Sequence, residues 1–158
     1  MGGMIAQIVA ANYPERTLSL TSMMATSGKP GLPIVAKPEK MAAIPPPGPD
    51  ADKKAYIERQ IKVWQAIGSP AYPVDEAVLR QRIVQQVERS YCPACEARQG
   101  AASLFTGMED RRAKLHTIQA PTVVVHGAED PLVPVDAGRD VAANIPGAER
   151  IPGVSPCF

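Results

Sequence analysis

The fold is decided by one stretch, Ala120-Pro121-Thr122-Val123-Val124-Val125-His126-Gly127-Ala128-Glu129-Asp130-Pro131-Leu132-Val133-Pro134. Residues 122–126 form an unbroken, mostly β-branched run, which is typical of a central strand covered on both faces. A turn over residues 127–131 follows, and residues 133–145 predict a helix that ends at Pro146-Gly147. Residues 148–151 predict a last short strand. Strand, helix and strand in this order indicate an α/β protein.

The start of the chain predicts a second α/β segment. Residues 2–13 carry apolar side chains at helical spacing, and Pro14 disfavours helix in the residue before it. Residues 17–25 are rich in β-branched and apolar residues, so they predict a strand. Helix, short turn and strand are half of a βαβ unit, which favours a parallel sheet.

Between these two segments the pattern is helical. Residues 27–49 are rich in Gly and Pro and predict a loop, after which Asp50 or Asp52 can cap a helix. A helix over residues 53–67 is predicted by an apolar stripe made of Ile57, Ile61, Trp64 and Ile67. Three further helices are predicted over residues 75–91, 94–106 and 109–116.

The composition of the 158 residues is that of an ordinary globular domain. Hydrophobic residues make up 45% and charged residues 21%, and the net charge is +1. A charge this small predicts no nucleic-acid partner, and no apolar run is long enough to predict a membrane span. No signal peptide is recognisable, and three cysteines do not describe a secreted disulfide framework, so we expect a cytoplasmic protein.

Two segments of the sequence resemble the α/β-hydrolase fold family. MGGMIAQIVAANYPERTLSL is similar to the helix and strand that follow the nucleophile elbow, G-x-S-x-G. APTVVVHGAEDPLVP is similar to the strand that ends in the catalytic acid. In many family members it continues as H-G-x-x-D-x-x-V-P, which is matched here by His126, Gly127, Asp130, Val133 and Pro134. The pattern is most similar to capped small-molecule esterases, such as aclacinomycin methylesterase and the enol-lactonases.

The resemblance implies the C-terminal part of an α/β-hydrolase parallel sheet, with about three strands and a helical cap insertion. It implies core residues 1–35, a cap over 36–117 and core residues 118–158. The implied chemistry is acyl transfer from a small-molecule ester by a Ser, His and Asp or Glu triad, with no cofactor and no metal.

By the motif match, Asp130 is the catalytic acid and Met1 is the residue whose backbone contributes to the oxyanion hole. The nucleophile would lie one residue before Met1, and Met1 itself carries a free amine rather than an amide. No His follows His126, and Pro156 stands where the family places its catalytic His. We therefore expect a hydrolase fragment with little or no activity of its own and marginal stability.

Simpler interpretations compete with several of these residues. Asp130 can be only a turn former. His126 precedes the acid, so we expect it to be structural, and we expect His116 to be exposed. Trp64 either belongs to the core or lines an apolar substrate pocket. None of Ser22, Ser103 and Ser155 follows a glycine elbow, so none is predicted to be a replacement nucleophile.

Cys92-Pro93-Ala94-Cys95 has the C-x-x-C spacing of a redox site or of half a zinc site. It lies within the predicted cap and has no second ligand pair in the sequence, so two cysteines without a shared role are favoured.

Two other functions stay open. Dehalogenases and epoxide hydrolases on this fold use an Asp nucleophile, and the deciding residue lies outside the chain. A non-catalytic, self-associating protein is the other possibility, because the strand over residues 17–25 would have an exposed edge on which a second copy can pair.

Overall fold

A computed structural model describes residues 1–33, 35–42, 52–69 and 71–154 of the chain. Its helices, in chain order, are α1 (Gly2–Asn12), α2 (Pro38–Ala42), α3 (Lys53–Ile67), α4 (Glu76–Arg89), α5 (Pro93–Met108), α6 (Arg112–Leu115) and α7 (Val135–Asn144). Its strands are β1 (Leu20–Met23), β2 (Thr122–Gly127) and β3 (Glu149–Val154). The predicted alternation of helices and strands is confirmed.

The three strands form one parallel sheet in the order β1-β2-β3. Leu20 lies opposite Thr122 on one side of β2, and Val123 lies opposite Glu149 on the other. The β-branched run is therefore the central strand, as its composition predicted. The helices α1, α6 and α7 bury the main core against the sheet, and its members are Ala10, Leu20, Leu115, Ile118, Ala120, Val124, Val141 and Ile145.

Several elements differ from the sequence-based expectation. The helix α6 is shorter than residues 109–116, and β3 extends to Val154, beyond residues 148–151. Two further differences concern β1 and α2. The first strand is shorter than residues 17–25, because a helical turn at Pro14–Arg16 extends its hydrogen bonding to Thr17, and Met24 leaves the strand with a φ of 42°. The stretch predicted as loop contains α2, which starts at Pro38, a residue whose fixed φ suits the first turn of a helix. Asp50 lies outside the described residues.

The cap, made of α2 to α5, has its own small core. Helices α3 and α4 pack through Ile61, Leu79, Ile83 and Val87. Asp52 caps α3 by accepting from the Lys54 N–H, and Asp75 caps α4 by accepting from two N–H groups. These two aspartates explain why both helices begin where they do.

The cap leaves and re-enters the core at one point. The backbone N–H of Arg111 donates to the Ser27 carbonyl at 2.8 Å, and its buried guanidinium donates to the Thr26 carbonyl at 2.6 Å. The same guanidinium reaches the carbonyls of Thr106 and Glu109 at the end of α5. Burial lowers the pKa of Arg111, and these carbonyls compensate part of the cost of burying its charge.

The surface carries apolar side chains along one side of α1 and β1. Leu18, two residues before β1, is 91% exposed. Met1, which precedes α1, and Ile5 and Val9 on α1 are about half exposed. Among the described residues no strand pairs with the outer edge of β1. Within the same residues, no helix has the length and apolar character needed to cross a bilayer.

Candidate active site

A cavity of about 550 Å³ lies at the carboxyl edge of the sheet, where parallel α/β proteins place their ligands. It lies between the start of α1, the ends of β1 and β2, and the end of α3 in the cap. Its lining is largely apolar and includes Met1, Gly3, Met24, Trp64, Asp130 and Leu132. The sequence-predicted residues Met1, Trp64 and Asp130 are thus brought to one cavity.

Asp130 is fixed by its own turn. Its Oδ1 atom accepts from the backbone N–H of Leu132 at 2.8 Å and of Val133 at 3.1 Å. Its Oδ2 atom lies 3.6 Å from His126 Nε2, which is too long for a good hydrogen bond. One carboxylate oxygen therefore holds the turn, and the other is left to accept from a further donor. The turn-former interpretation and the catalytic one are compatible in this geometry.

His126 is a buried structural residue, as expected. Its Nε2 atom lies 3.0 Å from the Val133 carbonyl, which can only accept, so Nε2 carries the hydrogen in this contact. Its Nδ1 atom has no hydrogen-bond partner among the described residues and faces Gly138. A ring held in this way, with neither nitrogen directed at the cavity, is not placed to act as a general base there.

Met1 directly precedes α1, as the residue before its first turn. Its carbonyl accepts from the N–H of Met4 at 3.0 Å, which starts the helix beside the cavity. At Gly3 an added Cβ would lie 2.8 Å from the Met23 carbonyl oxygen. The glycine therefore lets the start of α1 approach the end of β1, a packing that keeps Met1 at the cavity.

Trp64 lies on α3 and is partly buried between the cap core and the cavity. It therefore belongs to both environments that the sequence left open. It and Ile67 provide the cap's apolar wall opposite Asp130.

A second cavity of about 740 Å³ adjoins the first and shares Met1, Met24, Leu132 and Val133 with it. It extends between residues 28–33, Val35 and the exposed end of α5, where Ser103 lines it. None of the described residues that line either cavity is a histidine. A base from outside these residues is needed for triad chemistry.

Sequence reasoning missed most of the lining, including Met24, Leu132 and Val133. Each of these three follows the end of a strand, so the rule that sites lie beyond carboxyl ends of strands could have identified them. The positive φ of Met24 has no counterpart in the residue type.

The remaining sequence candidates lie elsewhere. Ser22 is a buried residue of β1 and accepts from the Gln7 side chain at 2.9 Å. His116 is exposed as predicted. Ser155 and Pro156 lie outside the described residues. Cys92 and Cys95 are joined by a disulfide, so the expectation of two cysteines without a shared role is wrong.

Known proteins resemble this chain over almost all of its length. It is 25% identical to rhodomycin D methylesterase DauP of Streptomyces sp. (strain C5), over 96% of this chain and 56% of that protein. It is 24% identical to rhodomycin D methylesterase DnrP of Streptomyces peucetius, over the same shares. The chain thus spans about half the length of these curated relatives. No protein-family model matches it.

Solved structures agree with these relatives. The enol-lactonase of Burkholderia xenovorans superposes with a TM-score of 0.60 at 21% identity, covering 96% of this chain and 53% of that one. The chain has the α/β-hydrolase fold. This confirms the resemblance on which Asp130 and Met1 were selected, while the roles of these two residues stay predictions.

Proposed function

We propose that this chain is the C-terminal part of a carboxylic-ester hydrolase and carries the catalytic acid, Asp130. The observation that carries the proposal is that the two oxygens of its carboxylate have different surroundings. Oδ1 is held by two backbone N–H groups, while Oδ2 accepts no hydrogen bond from the described residues and Asp130 lines the cavity. We propose that Oδ2 accepts from the N–H of the catalytic histidine. A carboxylate held in this way orients an imidazole and stabilises the imidazolium formed when the nucleophile attacks.

Two triad groups must come from outside the described residues. The nucleophile that the family places before Met1 would attack the ester carbonyl, and a histidine would take its proton. The backbone N–H of residue 1, as an amide in a longer chain, would donate to the developing oxyanion. The chain as given lacks these groups, so we propose that it has little or no hydrolase activity alone.

The substrate class we propose is a small-molecule ester or lactone with an apolar ring. The cavity wall made by Trp64, Met24 and Leu132 suits such a group, and the curated relatives are rhodomycin D methylesterases. We further propose that the cap helices α2 to α5 select this group. Within the predicted cap over residues 36–117, α6 instead packs in the sheet core through Leu115. We also propose that the protein is cytoplasmic.

The test starts from the nucleotide sequence on both sides of the reading frame. An in-frame G-x-S directly before Met1 would support a serine hydrolase, and an Asp in place of that Ser would favour dehalogenase or epoxide hydrolase chemistry. The longest frame is then expressed and assayed for hydrolysis of aryl and methyl esters, beside residues 1–158 alone.

In that longer protein we predict that Asp130→Asn lowers kcat by about 10⁴-fold, since the amide favours the wrong imidazole tautomer. Glu129→Gln is the matched control, because Glu129 is exposed and pairs with Lys37 at 2.6 Å. Hydrolysis that survives Asp130→Asn within a few fold would remove Asp130 from the mechanism.

The self-association alternative rests on the unpaired edge of β1 and the exposed Leu18 beside it. Gel filtration of residues 1–158 distinguishes a self-associating protein from a hydrolase fragment that does not self-associate. A discrete dimer would support self-association, and a monomer would contradict it.

A further inference from the structure

Cys92 and Cys95 form a disulfide at the start of α5, independent of the proposed hydrolase site. Cys92 is the residue before the helix, Pro93 opens it, and Cys95 lies in its first turn. The unpaired N–H groups of a helix N-terminus stabilise a thiolate in this position. Both cysteines are partly exposed, so an external thiol can reach them.

The charges around the pair favour a thiolate on Cys95. The Arg98 guanidinium donates to Cys95 Sγ at 3.2 Å. The nearby carboxylate, Glu96, is engaged by Arg59 at 3.0 Å and by the Tyr56 hydroxyl at 2.9 Å. Its negative charge is thereby partly offset, and Arg98 remains the charged group in contact with a sulfur.

The bridge is poorly placed to serve as a structural staple. It spans only two intervening residues, so it constrains the unfolded chain less than a bridge that closes a long loop. The helix that it begins, α5, contributes no buried residue to a core. A metal role also lacks support, since no group of three potential ligands lies together in the part of the chain that the structure describes.

We propose that Cys92 and Cys95 are a redox-active dithiol–disulfide pair that exchanges with an external dithiol. A thiolate of that dithiol attacks Cys92 Sγ, and the electron pair of the broken S–S bond leaves on Cys95 Sγ beside Arg98. The second thiolate then attacks the reductant's own sulfur in the mixed disulfide and releases the Cys92 thiolate. The reductant departs as a disulfide, and the pair has gained two electrons and can take up two protons.

The test uses the full chain with Cys157→Ser, which leaves these two cysteines as its only thiols. The protein is equilibrated in glutathione buffers of graded thiol-to-disulfide ratio, quenched in acid, alkylated and weighed by mass spectrometry. We expect a reversible two-electron transition within this range, with the circular dichroism of the folded chain retained. A pair that stays oxidised throughout, stays reduced throughout, or is reduced only as the chain unfolds overturns the proposal.

The direction of attack is tested by kinetics with dithiothreitol. We expect Arg98→Gln to slow reduction about threefold, because the leaving Cys95 thiolate loses the guanidinium that donates to its sulfur. Arg82→Gln, an exposed arginine on α4, is the matched control and should leave the rate unchanged. In the Cys95→Ser background, Cys92 should form a mixed disulfide with oxidised glutathione. Equal rates for both arginine variants, or no trapped mixed disulfide, would contradict the assigned roles.

Discussion

Gly138 shows how a single residue holds the acid turn in place. A Cβ at this position would lie 2.4 Å from His126 Nδ1 and 2.8 Å from its Cγ, and the His126 ring is buried. Because that ring also bonds the Val133 carbonyl, it cannot move aside without disturbing the turn that contains Asp130.

We predict that Gly138→Ala lowers the free energy of unfolding by about 1–3 kcal/mol, the usual cost of overpacking. Urea denaturation measures the change. Gly100→Ala is the control, since nothing lies within 4 Å of its Cβ position on the exposed part of α5. It should leave stability unchanged or raise it by up to about 1 kcal/mol. Equal effects of the two substitutions would show that the His126 contact does not limit position 138.

Asp110 provides a prediction of pH dependence. The side chain and backbone N–H groups of Arg112 bond its carboxylate and lower its pKa to about 2. A lowered folded-state pKa means that the pair favours the fold above the unfolded-state value of about 4. This contribution is lost as the pH falls toward about 2.

Carboxyl-carbon NMR titration measures the pKa of Asp110 directly. Arg112→Gln should return it toward the usual range, and Lys114→Gln, a nearby exposed cation, should not. An Asp110 that titrates in its ordinary range in the unmodified chain would contradict the Arg112 pairing.

Features that depend on neighbouring residues could be predicted from the sequence, and features that depend on long-range contacts could not. Asp130 was selected by its match to the family motif, which occupies consecutive residues after an apolar strand, and the structure brings it to the cavity. Its catalytic role stays a prediction. The contact between Gly138 and His126 joins a helix to a strand, and the strained backbone of Met24 depends on where the chain must go next. Neither the Gly138–His126 contact nor the positive φ of Met24 can be predicted from the residues next to it in the sequence.

The cap helix α4 is stabilised at its start by Asp75. Asp75 accepts from the N–H of Ala77 at 2.8 Å and of Val78 at 3.1 Å, which satisfies two donors that the helix itself cannot. We predict that Asp75→Ala lowers the free energy of unfolding of the cap by about 1 kcal/mol. Amide hydrogen exchange in the first turns of α4 measures it, and Asp75→Asn, which retains an accepting oxygen, should recover most of the loss. An alanine variant with unchanged exchange would show that the cap residue is dispensable.

Element positions were predictable wherever an apolar period and a cap coincided. The period of Ile57, Ile61 and Trp64 together with Asp52 placed α3 at its observed bounds. The helix α2 was missed because five residues are too few to establish a period, and the surrounding prolines dominated the pattern. The first strand was predicted too long, since β-branched and apolar residues extend beyond both ends of the segment that pairs with β2.

The part of the chain that the structure describes contains two separate hydrophobic clusters. The sheet cluster has eight buried members, and the cap cluster has four, all on α3 and α4. A smaller core with its own helices is expected to open at a lower free energy than the sheet. If core and cap are separate units, as we propose, the cap should unfold before the sheet.

Trp64, the single tryptophan, lies in the cap and reports its unfolding. We predict that its fluorescence changes at lower urea than the loss of amide protection at Val123 and Val124 in β2. Ile83→Ala, at a buried cap position, should widen this separation by removing about 2–5 kcal/mol from the cap. Val141→Ala, in the sheet cluster, should narrow it. Transitions that coincide in all three proteins would show that core and cap unfold as one unit.

The chain between β1 and β2 leaves the core at Ser27 and returns at Arg111, and these two residues are as close together as the two ends of a tight turn. The helices α2 to α5 lie between them in the sequence. Ser27 and Arg111 are hydrogen-bonded neighbours, so the sheet experiences the same two anchor points whatever is inserted there. Over generations, the inserted helices can therefore be lengthened, shortened or replaced without moving the strands of the sheet. New ligand preferences can arise in this way while the acid turn stays where the central strand places it.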